Sequence, residues 1–86
     1  MYKVSRMVRT THGEDGAIVL DIQRGRVLRL NAAGSFILEH LERGETELQI
    51  SMALSERFRI SREVAQTDVG EFLISLKQAA LVQQQN

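Results

Sequence analysis

The 86-residue chain has no Cys, no Pro and no Trp, and only one Tyr and three Phe. Without Cys there can be no disulfide, thiolate zinc site, iron–sulfur cluster or cysteine nucleophile. A chain this short must then be held by packing alone, which suits a reducing compartment. Net charge is also missing, because 11 Lys and Arg balance 11 Asp and Glu. Nucleic-acid binders draw much of their affinity from neutralising phosphates, so this balance argues against one. No uninterrupted apolar run exceeds four residues, as in Ala17–Leu20. Neither a membrane-spanning helix nor a signal-peptide core can be built from that. The chain therefore reads as one soluble, cytoplasmic domain over residues 1–82, with a disordered polar tail at 83–86.

Charge and pattern change at the same place. Residues 1–31 carry six cations and three anions, and residues 32–86 carry five cations and eight anions. The first part reads as strands. Val4–Val8 is a short, weak run, and Glu14-Asp15-Gly16 is a turn. Ala17–Ile22 alternates, with Ile18, Leu20 and Ile22 on one face. Gln23-Arg24-Gly25 is a turn in which Gly25 is free to take positive φ. Arg26–Leu30 alternates again, with Leu28 and Leu30 on one face. A two-stranded hairpin is marginal in water, so the three runs are expected to form one antiparallel sheet.

The second part reads as three helices. Asn31 caps a helix over about 32–42 with Ala33, Phe36, Ile37 and Leu41 along one stripe, ended by Gly44. Thr46 and Gln49 have the spacing of a capping box, before a helix carrying Ile50, Ala53, Leu54 and Phe58. Ser61 caps the longest helix, about 62–81, with Ala65, Val69, Phe72, Leu73, Leu76 and Ala80 facing the core. Gly70 in mid-helix costs about 1 kcal/mol relative to Ala, which suggests close approach of another backbone. The expected fold is α+β and winged-helix-like: βββααα, a small antiparallel three-stranded sheet followed by a three-helix bundle.

Enzymatic signals are poor. His12 and His40 lie in different segments, with no partner at metal spacing. Ser35, Ser51, Ser55, Ser61 and Ser75 lack the context of an activated nucleophile, and Ser61 reads as a helix cap. Gly13 and Gly16 do not continue into a phosphate-binding fingerprint. Glu39, Glu42, Glu45 and Glu47 read as a solvated face. No catalytic residue, metal ligand or cofactor is expected. A DNA-binding winged helix is the rival from another class, since three helices and a hairpin are its parts. Against it, the sheet precedes the helices, and helix 62–81 carries Glu63, Asp68 and Glu71 against only Arg62 and Lys77. The Arg24, Arg26 and Arg29 cluster favours it, although charges on an outer strand also discourage aggregation.

What remains is the edge of strand 26–30. Its unpaired N–H and C=O groups would accept a peptide as one more strand, with side-chain pockets supplying specificity. A groove between Arg26, Val27, Leu28, Arg29 and Leu30 and the last helix would supply such pockets. On that helix Val64, Asp68, Glu71 and Ser75 flank the core stripe, with Phe72 at its border. Asp68 and Glu71 suit a basic or hydroxyl group of the peptide. Helical spacing leaves open whether this flank or the opposite one, with Gly70, Ile74 and Lys77, faces the strand.

Several stretches recur in a known order: Gly16-Ala-Ile-Val-Leu-Asp21, Gly25-Arg-Val-Leu-Arg-Leu-Asn31, Gly34, Ile37, Leu41 and Gly44. Asp68-Val69, Phe72, Leu73, Leu76 and Leu81-Val82 complete them. Together, over about residues 12–82, they resemble the PqqD-like family of peptide-recognition domains, the RiPP recognition elements. The resemblance implies a non-catalytic module that holds the leader of a ribosomally made precursor peptide and presents it to a modifying enzyme or leader peptidase. The leader would lie antiparallel to the third strand, beside the third helix. PqqD proteins of quinone-cofactor synthesis, with a radical-SAM partner, usually carry a proline in the second strand. This chain has Leu20-Asp21-Ile22-Gln23 there, and it looks more like the stand-alone recognition proteins of lasso-peptide pathways. Those often have an aromatic near the end of the third strand, where Val27, Leu28 and Arg29 stand here.

Overall fold

The computed structural model describes residues 2–84. In chain order the elements are β1 (Tyr2–Val4), β2 (Val8–Gly13), β3 (Gly16–Asp21), β4 (Arg26–Asn31), α1 (Ala32–Glu42), α2 (Glu47–Phe58), α3 (Arg62–Gln78) and β5 (Val82–Gln84). An antiparallel sheet of order β2-β3-β4 packs chiefly against α1, α2 and α3 pack on each other, and β1 pairs with β5 in a second, two-stranded sheet. The fold is thus α+β, with the expected sheet-then-helices order and one additional small sheet.

The expected strand over Val4–Val8 is absent. Ser5–Met7 is a turn in which the Ser5 hydroxyl accepts from the Met7 N–H and the Ser5 carbonyl from the Val8 N–H. The outer strand is β2, whose inward row is Val8, Thr10 and His12. Two of those three are polar, so apolar alternation could not reveal it. Residues 83 and 84, expected in a disordered tail, form the outer part of β5, opposite Lys3 and Tyr2. The rest of that expected tail, Gln85 and Asn86, lies outside the described residues.

In β3 the buried row is Ala17, Val19 and Asp21, while Ile18 and Leu20 face outward. Register explains the choice. Ala17 stands opposite Leu30, and Val19 opposite Leu28. Burying the β4 leucines therefore buries the smaller row of β3 and exposes the larger one. Ile22 lies in the turn, where Gly25 takes φ +63°. Gly16, at φ +152°, sits so close to β4 that a Cβ there would be 2.0 Å from the Leu30 carbonyl oxygen.

The helix starts follow the sequence. Asn31 accepts from the Gly34 N–H, Thr46 and Gln49 form the capping box, and Ser61 accepts from the Val64 N–H. The core gathers Val19, Ile37, Leu38, Leu41, Ile50, Leu54, Ala65, Val69, Leu73 and Leu76. The last helix ends at Gln78, three residues before the expected 81. Ala80 adopts φ +59°, its N–H bonds to the Lys77 carbonyl and the Leu81 N–H to the Leu76 carbonyl. This is a Schellman stop made without glycine. Ala80 is consequently exposed rather than in the core, and Leu81 and Val82 are buried instead. Gly70 meets no neighbouring backbone; its nearest contact is Glu47 Oε1, 3.8 Å from where a Cβ would lie.

Three substitutions test these backbone positions. Gly16→Ala should cost at least about 3 kcal/mol, because both the φ and the carbonyl contact oppose it. Gly25→Ala, with open space around it, should cost only about 1 kcal/mol. Ala80→Gly should stabilise by about 0.5–1 kcal/mol by relieving the left-handed residue. Thermal melts check all three, since 1 kcal/mol corresponds to roughly 4–8 °C for a domain of this size.

Candidate functional site

β4 is an edge strand. Among the described residues no strand pairs with its outer side, so every second residue turns its N–H and C=O to open space. Below the sheet, Leu28 and Leu30 reach the core but stay half-buried, as does Phe72 of α3. All three are apolar and partly exposed, the two leucines on β4 and Phe72 on α3. β2 is also unpaired on its outer side. Its inward row offers Thr10 and His12 instead, so the two edges differ in chemistry.

Phe72 packs toward the start of α1, the helix that directly follows β4. A Cβ at Gly34, three residues after the end of β4, would lie 3.2 Å from the Phe72 ring. The opposite flank carries Gly70 near Glu47 of α2, and Lys77 with its Nζ 4.9 Å from the centre of the Tyr2 ring. Asp68 and Ser75 stand one turn before and after Phe72 on its flank, and Val64 and Glu71 lie further round; all four are exposed. Val27 and Arg29 do not face α3. They project from the outer sheet face, where Val27 is 65% exposed opposite Leu20, and Arg29 stands opposite Ile18. A strand added to β4 would present half of its side chains on the face of Leu28 and Leu30 and half beside Val27 and Arg29.

The start of β4 is fastened by a clamp. Asp21 is 1% exposed. Its Oδ2 accepts from Arg26 Nη2 at 2.8 Å and Nε at 3.3 Å, and its Oδ1 accepts from the Arg24 N–H at 3.3 Å. Arg26 Nη2 also donates to the Ala79 carbonyl at 2.9 Å, bridging β4 to the end of α3. These hydrogen bonds, that from Arg26 above all, hold the Asp21 carboxyl below the usual carboxylate range, against the opposing effect of burial. Sequence reading placed Arg26 in the site and missed Asp21, Gly34 and Ala79. Asp21 paired with Arg26 across a Gly25 turn was the available signal; the Ala79 carbonyl had none.

Several shallow hollows surround this region, one of them on α3 between Val64, Thr67 and Asp68. Another is lined by Gln23, Arg24 and Lys77, and a third by Gly16, Arg29 and Leu30. His12, read as a lone histidine, accepts or donates to Ser35 Oγ through Nδ1 at 2.8 Å and meets Glu42 through Nε2 at 2.8 Å. The order is that of a catalytic triad, but Ser35 is 5% exposed beneath the sheet. That keeps its oxygen from a substrate, and the chain of contacts ties β2 to α1. His40 similarly meets Glu45 at 2.7 Å. Among the described residues no group of three or more His, Asp or Glu is placed to hold a metal, and no helix is long and apolar enough to cross a membrane.

The clamp generates a pH prediction. A carboxyl whose folded pKa is depressed contributes stability that is present above its unfolded pKa of about 3.9 and is lost as pH falls through the lower folded value. Asp21→Asn should therefore lower the melting temperature at pH 7. It should also flatten the loss of stability seen in the parent below about pH 4, measured by thermal melts across the acid range.

The family model for coenzyme PQQ synthesis protein D (PqqD) matches residues 16–82. A search of the curated proteins found no match. Among solved structures, TbiB1 in complex with the TbiA(beta) leader peptide superposes with a TM-score of 0.88 at 28% identity, over 98% of each chain. Lasso peptide synthetase B1 complexed with the leader peptide gives a TM-score of 0.86 at 19% identity, over 96% of this chain and 98% of that one; at that identity the likeness is one of fold. The matched residues run from the start of β3 through β4 and all three helices to the first residue of β5, and so include the open edge and its helical wall. The chain belongs to the PqqD family.

Proposed function

We propose that this chain recognises the leader segment of a ribosomally synthesised precursor peptide, of the lasso-peptide type, and presents it to a modifying enzyme or a leader peptidase. The leader adds to β4 as a fourth, antiparallel strand beside α3. The observation that carries this reading is a strand edge with no partner among the described residues, with Leu28 and Leu30 on it and Phe72 on α3 partly exposed. The leader peptides in the two solved relatives support the choice of ligand.

The energetics require both parts of the site. About five backbone hydrogen bonds along β4 contribute roughly 2.5–7.5 kcal/mol before association costs, and micromolar binding needs about 8 kcal/mol. Side chains packing on Leu28, Leu30 and Phe72 supply the remainder, and Asp68, Glu71, Val64 and Ser75 on the α3 flank, with Arg26 at the start of β4, read the polar positions. Val27 and Arg29 read the residues that point to the outer face. The module itself does no chemistry and needs no cofactor. By holding the leader it keeps the attached core peptide near its enzyme at an effective concentration of the order of mM. This places it in the cytoplasm, where precursor peptides are made.

A role in pyrroloquinoline quinone biosynthesis beside a radical-SAM enzyme is the second reading, favoured by the description of the matching family. Both readings use the same edge and differ in the peptide. A winged-helix DNA-binding role is opposed by the acidic excess on α3.

The test is a titration of a fluorescent leader peptide, taken from the precursor encoded beside the gene for this chain. Micromolar or tighter binding is expected, with amide shifts confined to β4 and α3. Val27→Pro should weaken it at least about tenfold by disturbing the edge. Unchanged affinity in Val27→Pro, with loss in a Thr11→Pro chain, would move the peptide to β2. Retention on heparin and a mobility shift with duplex DNA, without leader binding, would favour the winged-helix role.

A further inference from the structure

At the Arg26 end of β4 lies a basin of about 460 Å³ whose charge is entirely positive. Lys3 and Arg6 come to it from β1 and the following turn, Arg24 from the β3–β4 turn, and Lys77 from α3. Four of the 11 cations in the chain converge here from four segments, and no Asp or Glu lines the basin. Among the described residues Lys3, Arg6 and Lys77 make no ion pair, and Arg24 stands 3.6 Å from an Asp21 oxygen already held by Arg26 at 2.8 Å. Converging cations without anions raise the local positive potential, which an arriving anion would relieve.

We infer that this basin receives carboxylate side chains of the peptide held on β4, specifically those that follow its strand-forming stretch. This rests on the strand-addition reading above. β4 runs from Arg26 to Asn31, so an antiparallel partner leaves the edge at Arg26. There Arg26 is bonded to the Ala79 carbonyl, and the residues flanking that bond, Arg24 and Ala80, line the basin. The emerging chain thus meets the cations directly. Carboxylates fit better than a phosphate group. The helix terminus at the basin is the C-terminal end of α3, which offers no free backbone N–H groups of the kind that cradle a phosphate, and the four cations must outweigh its negative dipole for any anion. Four flexible side chains spread around the rim suit several spaced charges rather than one compact dianion.

The experiment uses the full chain, isotopically labelled, with capped hexaglutamate, inorganic phosphate and the leader peptide as probes. Hexaglutamate should shift the amides of Lys3, Arg6, Arg24 and Lys77 and leave Leu28 and Leu30 in place. The double variant Arg6→Glu with Lys77→Gln should abolish those shifts. It should also weaken the leader about 3–10-fold, as expected for exposed ion pairs, and make its binding less sensitive to salt. Lys3→Glu, at an exposed position, repeats the test should the double variant melt early. No shift with hexaglutamate, or equal shifts with phosphate at the same concentration, would overturn the inference. Leader affinity unchanged by the charge variants but reduced by Val27→Pro would also overturn it, leaving the strand reading intact. Affinity reduced by the charge variants but unaffected by Val27→Pro would remove the strand reading and, with it, this inference.

Discussion

The Asp21 carboxylate is the point from which the candidate site is built. It is buried, so its charge must be matched, and the Arg26 guanidinium matches it with two donors. With one side fixed on Asp21, the same guanidinium reaches across to Ala79. One buried charge thereby sets the spacing between the first residue of β4 and the last turn of α3. Gly34 sets the other end, because the absence of a Cβ lets the Phe72 ring close on α1. Between these two fixed points Leu28 and Leu30 remain half-covered. An edge held at both ends is ordered before a peptide arrives, which is what preorganisation of a strand-binding edge requires.

Much of this was legible in the residues. The three helices, their caps, the β3–β4 hairpin and the Leu28–Leu30 row follow from periodicity and capping chemistry. The failures have physical causes. β2 is buried through Thr10 and His12, and a polar inward row carries no hydropathy signal. β1 and β5 are three residues each and exist only because residues 2–4 and 82–84 meet across the fold. The end of α3 was overshot because alanine stands where a stop usually has glycine. At the site, spacing places Val64, Asp68, Glu71 and Ser75 on one flank of α3 but not which way that flank turns, which depends on the Phe72 contact with α1. Period two placed Val27 and Arg29 in the same strand as Leu28 and Leu30, and necessarily on the other face.

Function divides in the same way. Composition excludes thiolate and disulfide chemistry outright, and the family match over residues 16–82 agrees with the recognition module that the edge suggested. The Ser35–His12–Glu42 contact shows why a constellation of residue types is insufficient evidence of catalysis. Its distances suit proton transfer, but the hydroxyl is under the sheet. Burial turns a reactive arrangement into a tether.

The small β1–β5 sheet bears on how such a module is deployed. Tyr2 and Gln84 are register partners, so the first and last described residues lie about one strand spacing, roughly 5 Å, apart. A folded unit entered and left at points that close can be spliced into a surface loop of a larger protein without stretching either junction. Covalent attachment and free diffusion are then interchangeable ways of delivering the same recognition surface.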